Sequence, residues 1–468
     1  MLLKKYIGTR DFYRTRFRVM IPILIQNGIT QFISLLDNVM VGQVGTEQMS
    51  GVSIVNQLLF VFYLCIFGAI SGAGLFGAQF YGKKDHEGVR HTFRFKIYVV
   101  AVLLAGAILL FLTCGDPLIE LYLHEGGETG DLALTMQHAK EYLAISLIGL
   151  LPYALTQIYS GTLREIGHTV PPMAAGISGV LVNLVLNYVL IFGHFGAPAL
   201  GVAGAAIATV ISRFVECAVV MIWAHRNPDK CEFIPGVYRS FRVPMPLVKR
   251  IAVTGMPLML NDTTWAAGQA CLLQSYSVRG IAGVSAMNIT NTQLNTVSVL
   301  FMAVGSAIAI LLGHLLGDGK LDEARDSARK MIAFSIFMGV ATGVIVAALS
   351  GLFPHLYNTT EEVRALSTLL ILVTAVTSPL RAYVHACYFT IRSGGNTWIT
   401  FLFDSVFVWC VNVPIAFFLS SFTTMSITLV FFATQAADLA KMLFGIWLLR
   451  RGTWAKNITV SSNEEESV

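Results

Sequence analysis

The sequence predicts an all-α polytopic membrane protein with twelve transmembrane helices in two parallel six-helix repeats. Three observations predict it. The first is composition: of 468 residues, 55% are hydrophobic and 13% charged, with a mean hydropathy of +0.67, far more apolar than a water-soluble chain. The second is the recurrence of apolar runs of about 20 residues, the length that crosses a bilayer core. These runs are continuous rather than alternating, which selects helices over barrel strands, the two structures that satisfy every backbone polar group in lipid. The third is that the second half of the chain repeats the first.

Spans are placed at 19–41, 51–80, 93–114, 141–160, 171–193, 202–223, 250–276, 284–316, 329–353, 364–388, 397–419 and 424–449. Loop charge tests the count. The N-terminus carries Lys4, Lys5, Arg10, Arg14, Arg16 and Arg18, and the even-numbered loops carry Lys83, Lys84, Arg90, Arg94 and Lys96, then Arg164, then Arg226 to Arg250, then Lys320 to Lys330, then Arg392. The odd-numbered loops are nearly bare of Lys and Arg, and the third is acidic, with Asp116, Glu120, Glu125, Glu128 and Asp131. The positive-inside rule then puts both termini in the cytoplasm. The net charge of +5 reflects these orienting loops and no nucleic-acid partner; the seven Cys give no CxxC pair and no disulfide or zinc framework. No cleaved leader is evident at the N-terminus.

Pro22 and Pro257 match at an offset of 235, as do Gly45 and Gly280, Ser50 and Ser285, Ile54 and Ile289, and Asn56 and Asn291. TLREIGHT (162–169) matches TIRSGGNT (390–397) at an offset of 228. An even number of spans per repeat returns the chain to the same side, so the repeats are parallel, an arrangement found in transporters. The expected organisation is an N-lobe at 1–223, a proline-bearing cytoplasmic linker at 224–249, a C-lobe at 250–455 and a disordered tail at 456–468.

Polar residues inside the spans are the candidate functional groups. Asn27, Thr30, Ser34 and Asp37 fall at i, i+3, i+7 and i+10, one face of the first helix. Such a stripe must face protein or water, and a carboxylate at mid-bilayer costs roughly 2.5–3.5 kcal/mol on insertion scales. Asp37 therefore reads as functional; the competing reading is a hydrogen bond to neighbouring helices.

The segment from Pro22 through Asp37 to MVGQVG, with GAQFYGKKD (77–85) and GVAGAAIATVIS (201–212), resembles the multidrug and toxic compound extrusion (MATE) transporters of bacterial type over nearly all of residues 15–455. The resemblance implies a V-shaped pair of six-helix lobes. It implies export of organic cations and similar compounds by antiport against H+ or Na+, with alternating access, in the cell membrane. Asp37, Asn183, Asn187 and Thr209 match positions that bind the coupling ion in some members. Here Asn187 replaces a second Asp that many relatives carry, leaving one carboxylate. Oxygen ligands at Asp37, Asn183 and Asn187 suit Na+, and a buried Asp37 also suits a proton. No other cofactor is expected.

The C-lobe acids are Asp262, Asp404 and Asp438. They differ from the Glu and Asp pair that sodium-coupled relatives carry in helices seven and ten, and Trp265 stands near the slot of that Glu. Asp438 has a competing reading as the i, i+3 partner of Lys441, and Arg213 and Glu216 read as a structural pair at the same spacing. Helix eight carries Asn288, Asn291, Asn295 and Ser298 on one face; helix two carries Ser53, Asn56, Phe60 and Tyr63 at the equivalent positions. These stripes read either as cleft walls for cationic amphiphiles, which aromatic faces attract, or as polar glue between helices.

GAGLFG (72–77) has the spacing of a dinucleotide loop but lies within a span with no strand before it, so close helix packing is its reading. His314 and His385 read as structural. A lipid-linked oligosaccharide flippase is the alternative within the same superfamily, disfavoured because the buried charges read as mainly acidic. A membrane-embedded enzyme is the alternative from another class, and no nucleophile, metal cluster or acid/base pair stands out for it. The chain is expected to act as a monomer on small molecules in the lipid bilayer.

Overall fold

The computed structural model describes residues 6–123, 131–240, 242–278 and 280–460, and at 33–39, 46 and 281 the backbone alone. The side chains of Ser34 and Asp37 therefore lie outside the described residues. Twelve long helices follow in order: α1 (Arg10–Gly42), α2 (Thr46–Gly82), α3 (His86–Glu120), α4 (Leu132–Glu165), α5 (Val170–Phe192), α6 (Gly201–Arg226), α7 (Met245–Ser277), α8 (Ile281–Gly317), α9 (Leu321–Leu349), α10 (Glu361–Ser393), α11 (Thr397–Phe422) and α12 (Ile427–Arg451). Each predicted span overlaps one of them, and ten are long and apolar enough to cross a membrane. No strand occurs among the described residues.

The helices outrun the apolar windows because their first turns are polar and capped. Asp85 accepts from Gly88 N at 2.8 Å to start α3, and Asp131 accepts from Ala133 N at 2.9 Å to start α4. This corrects the reading of the basic residues as loop residues: Arg94, Lys96, Arg164 and Arg392 lie on helices and are buried or half-buried. A hydropathy window stops where such charges begin, whereas the helix continues as long as each charge finds a partner.

Packing divides the chain into two compact units. One holds Ile25–Gly77 and Asp85–Ala252; the other holds the start of α1 through Leu24, the turn Ala78–Lys84, and everything described from Val253 onward. The boundary in α1 falls just after Pro22, where the missing proline N–H interrupts the helix ladder.

In the first unit, Phe93 meets Tyr159 and Phe233 at ring-centroid distances of 5.1 and 5.2 Å. Phe233 belongs to the segment expected as a linker, which is wound onto α3. Arg90 Nε donates to Phe233 O at 3.1 Å, Arg94 Nε to Val237 O at 2.9 Å and Arg94 Nη2 to Gly236 O at 3.0 Å. Two arginines thus satisfy carbonyls that an irregular buried segment would otherwise leave bare. Burial there pushes the Cys231 thiol up to about 11, so it stays protonated at neutral pH.

The core of the second unit is built from α8, α9, α10 and the last helices, around Ala303, Ala307, Ile308, Met331, Ala386, Phe403 and Leu448. The tail expected to be disordered from residue 456 is packed as far as Val460. Gln79 Nε2 donates to Ser393 O at 3.0 Å and to Lys456 O at 3.1 Å, while Ile458 N donates to Gln79 Oε1 at 2.7 Å. Asn457 Nδ2 donates to Gly317 O at 3.1 Å, and Trp454 is buried. The polar composition of the tail hides this, because one buried glutamine holds it through backbone groups. Gln79→Ala should cost about 1–3 kcal/mol for the buried groups left unpaired. It should also make a C-terminal tag on the purified protein sensitive to limited proteolysis, and a tag as resistant as in wild type would refute the clasp.

Candidate functional site

The first unit brings together three of the four predicted N-lobe residues. Asn187 Nδ2 donates to Asn183 Oδ1 at 3.2 Å along α5, and Asn183 Nδ2 donates to Thr209 Oγ1 of α6 at 3.3 Å. Both asparagines are buried. The i, i+4 spacing on α5 and the small residues of GVAGAAIAT on α6 bring these helices close enough for the bond; Gly204 faces the backbone of Leu190 and Ile191. Elsewhere the stripes are looser. Asn27 is half-buried, and Thr30 is exposed and bonds Gln26 O of its own helix at 2.9 Å. Asn56 accepts from Tyr142 Oη at 3.4 Å. On α8, Asn288 and Asn295 are exposed and Asn291 is half-buried.

Charged groups missed by the sequence reading lie deeper in the same unit. Lys96 Nζ binds Glu165 at 2.7 and 2.6 Å and Thr162 Oγ1 at 2.9 Å, with the lysine side chain 0% and the glutamate 11% exposed. Gly74 and Gly77 of GAGLFG face the Glu165 carboxylate, where a Cβ at either would collide with its oxygens. The motif is therefore a packing device, and what it makes room for is an ion pair. Arg164 Nη2 donates to Gln26 Oε1 at 2.8 Å. Arg213 and Glu216 pair at 3.2 Å, as their spacing suggests. The flippase alternative was disfavoured because the buried charges read as mainly acidic; in this unit cations outnumber acids.

In the second unit α10 presents Arg381, His385, Tyr388 and Arg392 at i, i+4, i+7 and i+11, a single face. That spacing was legible in the sequence. Opposite it, Lys441 Nζ of α12 binds Asp404 Oδ1 of α11 at 2.7 Å, and Asn261 Nδ2 of α7 binds Asp404 Oδ2 at 3.2 Å. Asn261 Nδ2 and Arg392 Nη1 each donate to Tyr388 Oη at 3.3 Å. Asp438 is not the partner of Lys441; it accepts from Asn412 Nδ2 at 3.2 Å and lies in electrostatic range of Arg381. The reason is local: α11 is π-helical at Leu402–Val406 and Val408–Asn412, and its wider turns carry Asp404 and Asn412. π-Helical turns are concentrated at functional positions. Asp262 is half-buried next to Asn261, with one carboxylate oxygen buried and no hydrogen-bond partner among the described residues.

The repeats share positions but not chemistry. Gln26 and Asn261 match at an offset of 235, and Arg164 and Arg392 at 228. The first pair bonds directly, and the second is bridged by Tyr388. Thr209 and Thr434, which bond Asn183 and Asn412 respectively, match at 225, and there Arg213 and Glu216 match Asp438 and Lys441. The same two positions thus carry opposite charges in the two halves.

The MatE family model matches residues 22–189 and 264–418, one segment in each half. A probable multidrug resistance protein NorM from Thermotoga maritima is 24% identical over 471 residues, covering 98% of this chain and 97% of that protein. The multidrug resistance protein MdtK of Edwardsiella ictaluri is 25% identical over 426 residues, 87% of each chain. A solved MATE structure in complex with MaL6 superposes with a TM-score of 0.83 at 18% identity, covering 95% of this chain and 99% of that one. A duplicated set of six spans with a buried polar cluster on α5 and α6, matched along its length, makes this chain a member of the MatE family of multi-pass membrane transporters.

Proposed function

We propose that this protein exports organic cations and related amphiphilic small molecules by antiport against H+ or Na+, by alternating access, with Asp37 as the coupling carboxylate. The observation that carries the reading is the cluster of buried Asn183 and Asn187 with half-buried Thr209, a set of oxygen-bearing groups inside two spanning helices. Oxygen-bearing side chains held inside spanning helices suit a proton or sodium ion that comes and goes. Asp37 ends the polar stripe of α1. Asp262, Asp404 and Asp438 are assigned a supporting part, holding the cations of the second half. Both termini are placed in the cytoplasm, the protein in the cell membrane, acting as a monomer and carrying out no covalent chemistry.

The test is ethidium efflux from everted vesicles under separate sodium and proton gradients. Asp37→Asn should lower gradient-driven efflux on the order of tenfold or more under whichever gradient drives the wild type. Wild-type rates in the variant under both gradients would remove Asp37 from the coupling step.

A further inference from the structure

The last turn of α12 carries two cations that no described acid balances. Arg450 and Arg451 are exposed, and neither side chain makes a hydrogen bond or an ion pair among the described residues. Cations around the start of α9, in the same unit, are matched. Lys320 binds Asp318 at 2.7 Å, Arg325 binds Asp322 at 3.0 Å, and Lys330 pairs with Asp326. Gly452, at φ +68°, caps α12 directly after the two arginines. They therefore stand just past the predicted span limit at 449, where the bilayer surface begins.

The helix face leading to them is apolar and uncovered. Leu439, Leu443, Trp447 and Arg451 follow at i, i+4, i+8 and i+12, one row along α12, and the three apolar members are 50%, 64% and 50% exposed. Trp447 stands one turn, about 6 Å, before Arg451. Tryptophan collects at that depth, at the edge of the hydrocarbon. Its ring is held from within. It stacks on Phe444 at 5.8 Å and 16°, and Phe444 stacks on the buried Phe403 at 6.3 Å and 26°. The Arg451 Cζ lies 4.9 Å from the Trp447 ring centroid. A guanidinium over a ring face keeps N–H donors for an anion. Leucines at acyl depth, a fixed indole at the interface and two unpaired guanidinium groups at the surface match the parts of an anionic phospholipid in order.

We propose that the end of α12 is a binding site for an anionic phospholipid, its phosphate on Arg450 and Arg451 and an acyl chain along Trp447, Leu443 and Leu439. Charge complementarity selects this occupant over a zwitterionic lipid. Basic residues at the end of a span attract anionic headgroups, and arginine binds phosphate through paired N–H donors. The site goes beyond the transport reading, since it needs neither Asp37 nor a gradient.

The test uses the full chain reconstituted in phosphatidylcholine vesicles that contain a lipid brominated on its acyl chain. The signal of Trp447 is the difference in fluorescence between wild type and Trp447→Phe. Brominated phosphatidylglycerol should quench it at roughly tenfold lower mole fraction than brominated phosphatidylcholine, the preference expected of two arginines beside a headgroup. Arg450→Gln with Arg451→Gln should bring the two curves together, and Arg450→Lys with Arg451→Lys should keep most of the separation. If the neutral pair does not fold, Arg451→Gln alone serves, with part of the separation lost. Coinciding curves in wild type overturn the proposal, as does a separation that survives the neutral variants. Two other occupants give their own results, and either also overturns it. If the chain's own acidic tail holds the arginines, a separation appears only after Glu464→Gln, Glu465→Gln and Glu466→Gln. If a second copy of the chain covers the face, neither lipid quenches Trp447 and cross-linking yields a dimer.

Discussion

Lys96→Met is expected to destabilise the protein by about 3–5 kcal/mol, the cost of stranding one member of a buried ion pair. Lys96 Nζ donates to both Glu165 and Thr162, so its removal breaks the ion pair and the hydroxyl contact together. The carboxylate cannot move away, because Gly74 and Gly77 of α2 wall it in. The informative comparison is the double variant Lys96→Met with Glu165→Gln, which removes both charges at similar volume. Replacing a buried pair by neutral groups is often close to neutral in stability, so most of the loss should return. The repeat supports this expectation, because the counterparts of Lys96 and Glu165 in the second half are Met331 and Ser393. That half builds the same helix pairing without the ion pair. The measurement is unfolding of the purified protein in detergent, read by loss of the monodisperse peak on heating. A double variant no more stable than Lys96→Met would show that the pair does more than neutralise itself.

Asp404→Asn should be similarly costly, about 3–5 kcal/mol, because it leaves the Lys441 ammonium, 5% exposed, without its carboxylate. Asp438→Asn should cost about 1.5 kcal/mol, on the order of one charge-assisted hydrogen bond. An amide there can still accept from Asn412. The order of the two losses tests which acid holds Lys441. If α12 closed its own i, i+3 pair, Asp438→Asn would be the damaging change and Asp404→Asn the mild one. Lys441→Met gives an independent check, since it should be rescued in part by Asp404→Asn and not by Asp438→Asn. Thermal unfolding of the three single and two double variants decides it.

The places where sequence reading succeeded and failed share one cause. Long apolar runs, capped ends and repeated Pro, Gly and Asn positions are local properties, so the spans and the duplication could be read from them. The i, i+4 asparagines of α5 were legible for the same reason, and so was the Arg213 and Glu216 pair. Of the readings open for Asp438, the i, i+3 pair with Lys441 is not the one the fold makes, because a helix is a good guide to neighbours on itself and none to a residue 37 positions away on α11. The α10 face of Arg381, His385, Tyr388 and Arg392 was there to be found by the same spacing rule. It was overlooked because two of its members stood where hydropathy suggested a helix end and a loop.

The sequence by itself determined that this chain is a twelve-helix membrane protein made of two repeated halves, because lipid imposes helices of fixed length and duplication leaves its offsets in the residue order. It also marked which polar residues stand inside the spans. Only the tertiary structure decided which of them meet. Lys96 closes on Glu165, Asp404 takes Lys441, and Arg213 meets Tyr153 as well as Glu216. A buried charge is stable only with a partner, and partners in a bundle come from other helices, at distances that packing sets.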